Sequence, residues 1–130
     1  MIEGRRPVVL LVDDEPRILS ALERSLRREG YELLTAERPA DALRIVEERS
    51  IDCVVCDYKM PAMFGTELLE RIAKRRPHVA RLMITGWPEE IDRGALARIG
   101  VHAVLQKPWD ESDLKLALRK AMGLAEPELE

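Results

Sequence analysis

Three aspartates, one threonine and one lysine stand where short apolar runs end. Asp13-Asp14 follow Val8 to Val12, and Asp57 follows Ile51 to Cys56. Thr85 follows Val79 to Ile84, and Lys107 comes just after Val101 to Leu105. Clustered carboxylates repel and raise each other's pKa unless a cation balances them. An all-oxygen set with few protein donors suits Mg²⁺, which keeps several waters and bridges to phosphate. A lysine and a threonine facing that cation could hold the remaining phosphoryl oxygens. A carboxylate can itself act as the nucleophile and become an aspartyl phosphate. Any one aspartate after a strand is explained by helix capping. Five such residues at the ends of four of the five runs are not.

The apolar runs must be strands and the segments between them helices. Val8-Val9-Leu10-Leu11-Val12 is continuous and β-branched, as a strand buried on both faces would be. Ile18, Leu19, Leu22 and Leu26 then share a helical face that starts at Asp14-Glu15-Pro16 and stops at Gly30. The alternation repeats. Strands are expected at Tyr31 to Ala36, Ile51 to Cys56, Val79 to Ile84 and Val101 to Leu105. Helices are expected from Pro39, then over Gly65 to Arg75, Glu89 to Ile99 and Asp110 to Met122. Strict βα alternation with short connections implies an α/β fold, a parallel sheet covered by helices on both faces. Ligands of such sheets bind beyond the carboxyl ends of the strands, the edge where the five polar residues gather.

A chain of 130 residues suits one domain. Its longest clean apolar run, Val8 to Val12, is far short of the ~20 residues a membrane helix needs, and no secretory leader is apparent. With net charge −3 and no basic stripe, no nucleic-acid partner is expected. Sixteen arginines against five lysines are dispersed beside acids at helical spacing, as in Glu23 with Arg27 and Glu67 with Arg71. Two cysteines cannot form a disulfide scaffold, so a reducing cytoplasm is the expected compartment. Cys53-Val-Val-Cys56 has a metal-like spacing, but an offset of three on a strand sends the thiols to opposite faces. His78 and His102 show no ligand spacing. Ile2-Glu3-Gly4-Arg5 resembles a protease site of expression vectors, although natural sequence explains it equally well. Residues 1–6 are therefore set aside as an extension, 7–122 form the domain, and the acidic 123–130 are a tail or linker stub.

Asp13-Asp14-Glu15-Pro16, Asp57-Tyr-Lys-Met60-Pro61-x3-Gly65, Thr85-Gly86 and Lys107-Pro108, in this order, resemble the receiver domain of two-component response regulators. The resemblance covers residues 7–122. It implies a doubly wound (βα)5, flavodoxin-like sheet with strand order 2-1-3-4-5. It implies that Asp57 accepts phosphate from a sensor histidine kinase or a phosphotransfer protein. Asp13, Asp14, Asp57 and the backbone carbonyl of Lys59 would hold Mg²⁺. Thr85 would bind the phosphoryl group and report on it, and Lys107, through a cis Lys107–Pro108 peptide, would pair with it. The partner or dimer face would comprise the fourth helix, fifth strand and fifth helix, in a monomer or weak homodimer. An effector, on the same full-length chain or another, would be controlled. Lys107-Pro108-Trp109-Asp110 is similar to receivers attached to enzymatic outputs, including cyclic-di-nucleotide phosphodiesterases.

Two positions depart from the family pattern. Val104 stands where an aromatic residue often turns toward the threonine, and Phe64 where a small or acidic residue is usual. Val104 is nearly fixed at χ1, so Trp87 and Trp109, in the loops rimming the site, become candidates for the moving part. A phosphorylation-independent interaction module would be favoured by loss of a key acid or the lysine, and none is lost. A phosphatase of the haloacid dehalogenase kind resembles an Asp-x-Asp pattern, which Asp13-Asp14-Glu15 lacks.

Overall fold

The computed structural model describes residues 4–124. Among these residues five strands and five α-helices alternate: β1 (Val8–Val12), α1 (Pro16–Leu26), β2 (Glu32–Ala36), α2 (Pro39–Glu48), β3 (Cys53–Asp57), α3 (Gly65–Arg75), β4 (Ala80–Thr85), α4 (Arg93–Ile99), β5 (Ala103–Gln106) and α5 (Glu111–Ala121). All strand pairs are parallel, in the order β2-β1-β3-β4-β5. This is the doubly wound, flavodoxin-like arrangement.

The sheet splits the core in two because successive side chains point to opposite faces. Val9 and Leu11 meet Leu19, Leu22 and Leu26 of α1 and Leu114 and Leu118 of α5. Leu10 and Val12 meet Val46 of α2, Leu68, Leu69 and Ile72 of α3, and Ile99 of α4. Burial on both faces explains why β1, and β3 as far as Cys56, read as unbroken apolar runs. Cys53 belongs to the first cluster and Cys56 to the second, so they lie on opposite faces as free, buried thiols. Burial pushes both thiols up, away from the reactive thiolate.

Two local expectations need correction, and one contact was not foreseen. The single helix expected over Glu89 to Ile99 is broken into a 3-10 turn, Pro88–Glu90, and the separate helix α4. Ile91 is extended and buried between them, and the Asp92 carboxylate accepts the Gly94 N–H at 3.0 Å to start the helix. Residues 4–6 are not idle: Arg5 makes two 2.8 Å contacts with the Asp52 carboxylate, which also accepts the Val8 N–H. Burial alone would raise the Asp52 pKa, but these donors outweigh it and hold it below the ordinary value. Arg71 does pair with Glu67 at 2.7 Å, whereas no Glu23–Arg27 ion pair forms among the described residues. Arg27 instead lines an open groove with Arg24 and Arg28.

Candidate functional site

The carboxyl ends of β1, β3, β4 and β5 bring the expected residues to one edge. Asp13 directly follows β1, Asp57 ends β3 and Thr85 ends β4. Asp57 lies beside Ile84 in the β3–β4 register, and the Lys107 N–H donates to the Thr85 carbonyl at 2.8 Å. One oxygen from each of Asp13, Asp14 and Asp57 lies within 4.8 Å of the others. Asp13 is fully buried, Asp57 nearly so, and Asp14 is the most open of the three.

Lys107 reaches into this ring. Its ammonium lies 2.9 Å from Asp13 Oδ2 and 3.0 Å from Asp57 Oδ1. Asp13 Oδ1 accepts the Glu15 N–H at 2.9 Å, which fixes the carboxylate. The Lys107–Pro108 peptide is cis. Thr85 is buried, and its hydroxyl accepts the Trp87 N–H at 3.0 Å.

The charges do not balance: three carboxylates face one ammonium. Burial pushes the Asp57 carboxyl up to about 6; Asp13 and Asp14 add to the rise, and the Lys107 bond opposes it. For Lys107, burial would lower the pKa, but the bonds to Asp13 and Asp57 outweigh it and hold the ammonium above its ordinary value. A raised carboxyl pKa means that ionisation costs the folded state. The cost is absent below about pH 4 and complete above about pH 6, so this group's contribution to stability falls as pH rises through that window. Asp57→Asn should therefore raise metal-free stability at pH 7 by about 1–2 kcal/mol, after allowance for water at the site. Urea melts at pH 4 and pH 7 check this: the gain should vanish at the lower pH, and a loss of stability at pH 7 would contradict it.

The oxygen ring could hold a small hard cation, and the buried hydroxyl and ammonium could bind an anion beside it. Lys59, expected to lend its backbone carbonyl, directs its side chain elsewhere. Its ammonium contacts Glu90 at 2.9 Å and lies 5.1 Å over the Trp87 ring. Trp87 is 54% exposed at the lip, stacked aromatics Tyr58 and Phe64 lie on the loop after β3, and Val104 is half-buried on β5. Trp109 does not rim the site freely: its Nε1 donates to Ser25 Oγ at 3.1 Å and its ring packs on the α1–α5 core.

Two features were not visible in the chain. Glu90 pairs with a lysine 31 residues away, and no local pattern signals that. Gly65 packs against the backbone of Asp57, where an added Cβ would collide with the Asp57 carbonyl oxygen and lie 3.1 Å from the Tyr58 Cα. A glycine at the first position of a helix, with no turn to explain it, was the available hint.

The comparisons with known proteins agree with this geometry. The response regulator receiver domain model matches residues 9–119. Transcriptional regulatory protein GlrR of Escherichia coli (strain K12) is 34% identical over 119 residues, 92% of this chain and 27% of the regulator. The chain thus spans about a quarter of that relative's length. The signal receiver domain of an HD domain-containing protein from Pseudomonas fluorescens Pf-5 is 36% identical, with TM-score 0.83 over 92% of this chain and 96% of that one. A response regulator receiver domain protein from Clostridium thermocellum is 34% identical, with TM-score 0.83 over 90% of this chain and 94% of that one. With its family match spanning nearly the whole domain, the chain belongs to the receiver domains of two-component response regulators.

Proposed function

We propose that this domain is a phosphorylation-dependent signalling switch in which Asp57 takes a phosphoryl group from a sensor histidine kinase or a phosphotransfer protein. The observation that carries this reading is the Lys107 ammonium, held at 2.9 and 3.0 Å between Asp13 and Asp57. That placement lets one cation orient the acceptor carboxylate and then receive phosphoryl oxygens. Asp13, Asp14, Asp57 and the Lys59 carbonyl would hold Mg²⁺, which when bound neutralises charge on the phosphoryl oxygens. An Asp57 oxygen attacks phosphorus; the O–P bond forms as the P–N bond to the donor imidazole breaks. The electron pair leaves with the nitrogen, which takes a proton. The Thr85 hydroxyl donates to the bound group, and Lys107 pairs with it.

The α4–β5–α5 face would change with phosphorylation and control an effector. The relatives described as a transcriptional regulatory protein and an HD domain-containing protein support an effector partner. No helix among the described residues is long and apolar enough to cross a membrane. The domain would work in the cytoplasm as a monomer or weak homodimer, with no nucleic-acid contact of its own.

Phosphoramidate with Mg²⁺ should add one phosphoryl mass, labile to hydroxylamine and absent from Asp57→Asn. Equal gain by that variant would overturn the assignment. Absence of any gain in the unaltered chain would favour a phosphorylation-independent interaction module.

A further inference from the structure

Lys59, Trp87 and Glu90 join the loop after β3 to the loop after β4 across the lip of the site. The Lys59 ammonium is bonded to Glu90 at 2.9 Å and sits 5.1 Å over the Trp87 ring. All three side chains are substantially exposed. The Trp87 N–H is bonded to the buried Thr85 hydroxyl, so this strap is also tied to the residue that ends β4. Lys59 is two residues beyond Asp57, so their Cα atoms are at most about 7.6 Å apart. The lysine and a phosphorylated aspartate side chain together bridge that distance.

We propose that Glu90 is a positioning residue that holds Lys59 in reserve, and that a phosphoryl group on Asp57 draws the ammonium off Glu90 and Trp87, freeing the Pro88–Glu90 turn. This rests on Asp57 as acceptor. Exposed ion pairs and exposed cation–π contacts are weak, so the strap is easily exchanged. A phosphoryl group carries more negative charge than a carboxylate and offers three strong acceptor oxygens. Lys59 thus leaves a monovalent partner for a stronger one within reach. The turn it leaves directly follows one of the most exposed large apolar side chains among the described residues, Trp87. Release therefore changes a surface a partner can read. Val104 on β5 is too short and too stiff to supply such a change itself.

Intrinsic fluorescence tests this on the full chain, whose two tryptophans are Trp87 and the tethered Trp109. Beryllium fluoride with Mg²⁺ serves as the phosphoryl mimic, and its binding is followed independently by fluorine NMR. The mimic should change the emission, and Trp87→Phe should remove that change. Glu90→Gln should shift the resting emission toward the mimic-bound value and cut the mimic-induced change by about half or more. In a Lys59→Met background, Glu90→Gln should have no further effect, an outcome a merely structural role for Glu90 would not produce. If the mimic binds and Glu90→Gln leaves both signals as in the unaltered chain, the proposal is overturned while the Asp57 reading stands. If phosphoramidate labels nothing and the mimic does not bind, both fall together.

Discussion

Gly65→Ala should destabilise the domain by about 2–4 kcal/mol, although helix propensity argues the other way. Gly65 is the first residue of α3, and alanine there should be worth up to about 1 kcal/mol in intrinsic preference. The new Cβ, however, would run into the Asp57 carbonyl oxygen and crowd the Tyr58 backbone. These are main-chain atoms at the end of a central strand and have no flexible end to swing away. The Gly65 N–H also donates to the Tyr58 carbonyl at 2.6 Å, so the loop cannot widen without losing that bond. Sterics should therefore outweigh propensity, and the displaced Asp57 backbone should slow the phosphorylation proposed for it. Gly86 is the control. Nothing lies within 4 Å of a Cβ there, and its φ is not left-handed. Gly86→Ala should be neutral or gain about 0.4–1 kcal/mol through the unfolded chain. Urea unfolding of both variants reads the contrast, and equal behaviour would show that the close approach does not matter.

Lys107→Met should cost about 2–4 kcal/mol in metal-free buffer at pH 7. Methionine keeps most of the volume, so the loss is electrostatic. It strands the fully buried Asp13 and the nearly buried Asp57 without their shared cation, with Asp14 alongside. The figure stays below that of a deeply buried pair because the Lys107 side chain keeps 20% exposure and Asp57 can take up a proton. If charge imbalance is the cause, millimolar Mg²⁺ should recover much of the loss by binding the folded state. The measurement is the urea midpoint of both proteins with and without Mg²⁺. An identical deficit at every Mg²⁺ concentration would count against the shared cation balance and for a packing defect.

The residues of the site were legible in the chain because strand ends were. A strand buried on both faces is apolar along its run, so the first polar residue after Val8 to Val12, or after Val54 to Cys56, marks where the strand ends. Parallel strands put all those marks at one edge, and Asp13, Asp57, Thr85 and Lys107 meet there. The helix faces were legible for the same reason: Leu19, Leu22 and Leu26 recur at a helical period because one side of α1 is buried. Strand order came from the family pattern rather than from any run of residues. Tertiary structure alone decided the break at Ile91 between Glu90 and α4, the Arg5–Asp52 contact, the tethering of Trp109 to Ser25 and the Lys59–Glu90 strap. The physical difference is one of range. Burial of a face is repeated every two or every three to four residues and writes itself into local sequence. A polar contact between distant residues is made once, within a few tenths of an ångström, by the way packed elements bring two loops together.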